Sequence, residues 1–366
     1  MLKATVRRSA KILSSLLLLS LLQACGEGET TPANLALFAG DGATAGSVNG
    51  AGTAARFSAP LGVAADSAGN IYVADTINHI IRKIDSAGVV TTLAGDVTIH
   101  TAGNTDGIGA AASFSSPRGV ATDSAGNVYV ADTGNITIRK VTSSGEVSKL
   151  TGNTGIYGQI LLASVGTPSG IASDSVGNIY VTDTVNHVIL KFTALGAVST
   201  LAGVTPTLVS TPSPGSVDGI GAAARFNSPR GIVADNLGSL YVADSGNHTI
   251  RKIVIATGAV TTFAGNVSTP SLGNADGLGA AARFNTPLGI TTDSAGNVYV
   301  ADTNNHTIRK ITPAGEVSTV VGVAGSAGFT PGFLPGQLSS PTGVAISGTS
   351  LYITTGNGVA VVTRVP

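Results

Sequence analysis

The 366-residue chain contains no tryptophan, one methionine and one cysteine, and only 11% of its residues are charged, against a usual quarter. One cysteine excludes an intramolecular disulfide and any multi-thiolate metal site. Glutamate is confined to Glu27, Glu29, Glu146 and Glu316, so aspartate supplies 16 of the 20 acids. Scarce Glu, Lys and Met beside 49 glycines exclude long helices, which need the strong helix formers that are missing. Disorder is excluded as well, because 43% hydrophobic residues and a formal net charge of zero favour a buried core. What is left is a β-rich fold with many turns.

Lys3, Arg7, Arg8 and Lys11 precede an apolar run over 12–22. Basic residues followed by a short apolar run make a secretory signal, and the run is too short to span a bilayer as a mature helix. It ends Leu22-Gln23-Ala24-Cys25, on the only cysteine. The segment resembles a bacterial lipoprotein signal with its lipobox. That resemblance implies cleavage before Cys25 and acylation of Cys25. With Gly26 rather than Asp after it, the resemblance implies outer-membrane sorting in a Gram-negative cell. Residues 1–24 are then a signal peptide and 25–34 a polar tether. The mature chain keeps 16 basic and 20 acidic residues, a net charge near −4, which argues against a general nucleic-acid binder.

The body repeats itself. Pro60 opens the stretch Pro-Leu-Gly-Val-Ala-Ala-Asp-Ser-Ala-Gly-Asn-Ile-Tyr-Val-Ala-Asp75, and the pattern returns at Pro117, Pro168, Pro229, Pro287 and, more weakly, Pro341. Units 57–95, 114–152, 165–203, 226–265 and 284–322 have 39, 39, 39, 40 and 39 residues, joined by linkers of 12 to 22. Each unit reads as four short strands rich in β-branched and aromatic residues, separated by Gly, Asn, Asp and Ser. Four strands repeated six times predict a six-bladed β-propeller of antiparallel blades. The sixth unit, 338–366, stops before its fourth strand, while residues 35–40 match the fourth strands of the other units. An N-terminal strand completing the last blade would close the ring and remove two open edges. Residues 35–366 are therefore one propeller domain.

The segments Asp-Thr-x-Asn-His-x-Ile-Arg-Lys at 75–83 and 302–310, with a Leu variant at 183–191, resemble NHL repeats. The resemblance implies a six-bladed propeller acting as a binding or scaffold module, with enzymes a minority among similar propellers. Ile136 stands where unit two would have the His, and Thr355 where unit six would have the Asp.

Tyr72, Tyr129, Tyr180, Tyr241, Tyr299 and Tyr352 share one position of the second strand, and are expected to pack blade against blade in place of tryptophan. Asp75, Asp132, Asp183, Asp244 and Asp302 end that strand, where a carboxylate can accept hydrogen bonds from the next backbone N–H groups. His79, His187, His248 and His306 occupy equivalent turns roughly 10 Å or more from the axis, given a strand spacing of about 4.8 Å. Zinc needs ligands at about 2.1 Å, so these histidines cannot share one metal, and turn packing is expected. No cofactor or metal site is expected.

The linkers and the Thr-x-Asn-His turns fall on one face, where loops on a rigid scaffold usually carry function. Asp106, Asp218 and Asp276 open similar linkers, Arg56, Arg225 and Arg283 close them, and Arg118 and Arg230 follow the nearby prolines. Either each Asp caps an Ala-rich turn and pairs with the closing Arg, or the guanidinium groups form a ring for a carboxylate, phosphate or acidic partner. The apolar linkers 155–162 and 329–336 form a contact patch or plug the channel mouth. The expected function is a monomeric, non-enzymatic module, tethered at the cell envelope and held to the membrane by its lipid alone. It presents the linker face to a protein, peptide or glycan. The alternative is a metal-dependent lyase or gluconolactonase-like propeller enzyme.

Overall fold

The computed structural model describes residues 32–150, 166–205, 213–267 and 272–365. Within them, six antiparallel sheets follow one another as blades around an axis. In blade one the strand Pro60–Ala65 is innermost, followed outward by Ile71–Asp75, Ile80–Ile84 and Val89–Ala94. The alternation of β-branched runs with Ser-Ala-Gly-Asn and Thr-x-Asn-His turns dictates this meander, since each turn supplies the positive φ that a short reversal needs. Gly69, Gly126, Gly177 and Gly296 take φ of 78 to 87° in the first of these turns. The only helical elements among the described residues are three-residue 3-10 turns. No described helix is long and apolar enough to cross a membrane.

The ring closes as the chain ends predict. Asn34–Gly42 lies antiparallel to Asn357–Thr363, with Asn34 opposite Thr363, and supplies the outer strand of blade six. Blade six thus joins strands from both termini, and no blade is left with a missing neighbour.

The linkers carry more structure than four strands per blade would require. Five of the six sheets have a fifth, two-residue outer strand drawn from the linker: Gly50–Ala51, Gly107–Ile108, Gly219–Ile220, Gly277–Leu278 and Gly332–Phe333. Each of the first four pairs with the outer strand of the blade the linker is about to enter, then turns through a 3-10 turn toward the axis. The pairing covers part of an outer edge that would otherwise present free N–H and C=O groups. The linker around 329–336 does not plug the channel: it adds Gly332–Phe333 beside Asn34–Leu35, with Phe329 and Leu334 packed on blade six and Phe333 exposed. Segment 155–162 lies outside the described residues.

The core sits between blades rather than within them. Tyr72, Ala74, Ile81 and Ala94 of blade one pack against Phe114, Val120, Val128 and Val141 of blade two. Tyr129, Tyr180, Tyr241 and Tyr299 likewise reach the following blade, and Tyr352 packs against blade one. In blades one, two, three and five the tyrosine hydroxyl donates to the Asp of its own first turn at 2.9 to 3.2 Å. The ring is buried while its polar end is satisfied.

Candidate functional site

Asp75 does not cap the turn that follows it. Its Oδ1 accepts from the Ser58 N–H at 2.7 Å, and its Oδ2 accepts from Asn78 Nδ2 at 2.8 Å and Arg82 Nη1 at 2.9 Å. Asp132, Asp244 and Asp302 repeat this set with Arg139, Arg251 and Arg309. The carboxylate therefore ties the second strand to the linker that enters the same blade. All four arginines are fully buried, and each lies 4.9 to 5.2 Å from the ring centre of the phenylalanine that opens its unit. Burial pushes the carboxyls up, Asp244 to about 6, against the guanidinium and N–H donors that hold them ionised. Blade three departs: Leu190 replaces the arginine, and Asp183 accepts from the N–H groups of Gly166, Thr167 and Asn186 and from Asn186 Nδ2 instead. In blade six Thr355 serves, accepting from Ser339 N and donating to Ser339 O.

The linker aspartates, half exposed themselves, reach the buried arginines of this network. Asp106, Asp218 and Asp276 bond Arg139, Arg251 and Arg309 at 2.6 to 2.7 Å, so their partner is the buried third-strand arginine and not the arginine closing the linker. Asn49 takes their place in blade one. The closing arginines turn back onto carbonyls: Arg56 onto Thr53 and Ala55, Arg225 onto Ala222 and Ala224, Arg283 onto Ala280 and Ala282. Arg56 also pairs with Asp41 at 3.3 Å.

The histidines are latches between blades. Nδ1 of His79, His187, His248 and His306 accepts from the N–H of Ser116, Ser228, Thr286 and Ser340 in the next blade at 2.9 to 3.0 Å. Each of those N–H groups belongs to a residue of positive φ just before the blade's proline. Accepting at Nδ1 requires a neutral ring there, and burial pushes His79, His187 and His248 below their ordinary value. Asn357 Oδ1 provides the same acceptor to Ala59 where blade six meets blade one. No three His, Cys, Asp or Glu come together among the described residues.

Arg118 and Arg230 stand apart from all this. Arg118 lies just before the inner strand Val120–Thr122 of blade two and Arg230 within the inner strand Pro229–Ala234 of blade four, and both line a cavity of about 100 Å³ at the linker-face mouth of the axis. Three tiers form the wall. The outermost is Leu61, Arg118, Ser169, Arg230, Leu288 and Thr342, and beneath it lies a tier of six glycines. Glycine is required there because blades touch: a Cβ on Gly62, Gly119, Gly170 or Gly231 would run into the carbonyl oxygen of Arg118, Ser169, Arg230 or Leu288 in the next blade. Val63, Val120, Ile171, Ile232, Ile290 and Val344 form the third tier, which also tops a wider cavity of about 290 Å³ behind it. Carboxylates and imidazoles are absent from the described residues lining either cavity. Sequence reasoning placed Arg118 and Arg230 on the binding face but missed that they alone of its arginines reach the axis. Cys25 lies outside the described residues.

The NHL repeat profile matches residues 57–84, 114–141, 226–253 and 284–311, the four blades that carry the buried arginine. Among curated proteins, the human NHL repeat-containing protein 2 is 31% identical over 301 residues, covering 73% of this chain and 41% of that protein. The chain spans 25 to 43% of the length of the first curated relatives it matches. An auxiliary nutrient binding protein from Bacteroides thetaiotaomicron superposes with a TM-score of 0.66 at 14% identity, over 90% of this chain and 76% of that one. A gluconolactonase from Xanthomonas campestris superposes at 0.57 and 15% identity, over 85% and 87%. The chain carries NHL repeats on a six-bladed propeller, a fold shared by binding proteins and enzymes alike.

Proposed function

We propose that this protein is a non-enzymatic binding module, anchored at the cell envelope through an acylated Cys25, that presents the linker face of an NHL propeller to a protein, peptide or glycan. One observation carries the reading. The recurring Asp, His and buried Arg side chains are engaged in holding strands, linkers and blades together, which leaves the linker face and its axial mouth as the surface free to recognise something. Exposed apolar side chains support it: Ile77, Ile136 and Val185 project from the second turns on that face. The nutrient-binding likeness concerns fold alone at 14% identity, and it is consistent with a solute-facing role.

Capture of envelope partners by the mature protein tests the reading. Arg225→Glu with Arg283→Glu places two acids on the linker face, and capture is expected to fall. Retention of every partner by that variant would refute the face assignment. Anchoring is tested by Cys25→Ala, which should move the protein from the membrane fraction to the soluble one.

A further inference from the structure

The geometry points to a carboxylate-binding site at the linker-face mouth of the axial channel, where Arg118 and Arg230 grip the anionic end of a ligand and Leu288 and Leu61 receive its short apolar stem. This rests on the binding-module reading and specifies what the mouth recognises.

Among the described residues, the two guanidinium groups have no counter-charge. No described side chain or carbonyl lies within hydrogen-bond or ion-pair range of either one, and Arg118 Nε is buried without a partner. That is uncommon in this protein, whose other linker-face arginines are tied to carboxylates or carbonyls. Burial pushes the Arg230 guanidinium down, and Arg118 across the mouth adds to it. Two unpaired cations repelling each other in a half-buried pocket cost stability, and an anion between them relieves both the repulsion and the unmet Nε–H. Neighbouring inner strands are in backbone contact, as the Gly62 N–H to Arg118 O bond of 2.8 Å shows. At strand spacings of ~4.8 Å, alternate positions of a six-membered ring stand roughly 8 Å apart, a span that two arginine side chains can close around one group.

The ring is divided by chemistry. Arg118, Ser169 and Arg230 occupy three consecutive positions, while Leu288, Thr342 and Leu61 occupy the other three. A fully hydrated inorganic anion would waste the apolar half, and a neutral apolar ligand would leave the cations unpaired. A carboxylate on an aliphatic stem satisfies both. The glycine tier cannot give way, and the aliphatic tier lines the cavity below it, so about 100 Å³ admits the end of a ligand and not its whole length.

The test is calorimetric titration of the folded mature protein with 3-methylbutyrate, N-acetyl-leucine, N-acetyl-leucine amide and inorganic phosphate. Saturable binding of the two free carboxylates, without the amide, is expected. A preference for N-acetyl-leucine identifies a peptide C-terminus as the source, and a preference for 3-methylbutyrate a free short-chain acid. Arg118→Gln and Arg230→Gln should each weaken binding about tenfold or more, the weight of a charge-assisted hydrogen bond, while leaving the melting temperature unchanged or raised. Phosphate binding as tight as carboxylate, or carboxylate binding unaffected in both variants, would overturn the proposal. A variant that melts early is replaced by Arg118→Lys or Arg230→Lys, for which weakened binding with a normal melting temperature is again expected and unchanged binding counts against the site. Partner capture, read separately through Arg225 and Arg283, reports on the module reading independently of this outcome.

Discussion

Arg251→Leu isolates what the buried network contributes, because the protein already contains the comparison. Arg251 donates to Asp244 Oδ2 at 2.8 Å, to the Arg225 carbonyl at 2.9 Å, to Asp218 Oδ1 at 2.7 Å and to the Val217 carbonyl at 3.1 Å. Leucine of similar girth fills the space over Phe226 but leaves Asp244, fully buried, with only the Asn227 N–H and Asn247 Nδ2 as donors. Breaking one buried ion pair costs about 3–5 kcal/mol. Asp218 adds little, since its side chain is 46% exposed and water can replace the lost donor. Blade three tolerates Leu190 because Asp183 has three backbone N–H partners in compensation, and the sequence around 227 offers Asp244 one. Urea unfolding followed by tyrosine emission and circular dichroism is the assay, tyrosine serving because there is no tryptophan. Adding Asp244→Asn to the leucine variant should recover much of the loss by removing the stranded charge. The loss should also grow as pH rises. Asp244 already titrates near 6 in the folded chain, above its unfolded value, and losing Arg251 raises it further, so protonation relieves the penalty at pH 5 and not at pH 8. An Arg251→Leu loss below about 1 kcal/mol, or no recovery on adding Asp244→Asn, would refute this account.

Three further outcomes follow from the same contacts. Asp218→Asn should cost less than about 1 kcal/mol in urea unfolding, because Asn49 holds Arg82 in the same way at 2.9 Å; a loss comparable to that of Arg251→Leu would contradict it. Replacing His79, His187, His248 and His306 together by Asn, a residue that tolerates their φ of 55 to 60°, removes titration from the latches. The folded imidazole values lie below the unfolded one for His79, His187 and His248, so their contribution is full above about pH 6.5 and fades as pH falls through the folded values. Wild type should lose stability relative to the Asn variant between pH 7.5 and 5, and parallel profiles would count against neutral latches. Gly231→Ala forces a Cβ against the Leu288 carbonyl and should destabilise by about 1–3 kcal/mol or more; a neutral result would mean that the axial strands are not in contact.

The blade count and ring closure were legible because they rest on spacing. Proline recurrence and a fourth strand displaced to residues 35–40 need no knowledge of side-chain contacts. The fifth strands were not legible, since Gly50–Ala51 or Gly219–Ile220 is too short and too small to register as a β pattern. The buried arginines were hidden for a different reason. Neighbouring strand residues face opposite sides, so Ile-Arg-Lys-Ile sends its two cations to different faces without saying which face is covered: Lys83 stays partly exposed while Arg82 is enclosed. A signal existed within the repeats: units one, two, four and five have both the opening Phe and the third-strand Arg, and unit three has Val165 and Leu190. Residues that come and go together touch each other. Of the two readings open for the linker aspartates, neither included the third-strand arginines that Asp106, Asp218 and Asp276 bond, because strand order, not sequence distance, sets which arginine is adjacent.

The seam in blade six has a consequence for how the molecule comes into being. Asn357 Nδ2 bonds the Ala43 carbonyl across 314 positions of chain, whereas a blade is built from contacts within about forty. Chain-closure entropy grows only with the logarithm of length, so joining these ends costs roughly 2 kcal/mol more than closing a single blade. The added cost is modest, but it falls on a step that cannot begin until the last strand exists. The first strand made is therefore the last to find its neighbour, and until then the nascent protein is an open arc with an unpaired edge at each end. Proteolysis or edge-to-edge association during that interval would act on the seam, and in the finished ring the same seam is where an arc could reopen with blades one to five intact.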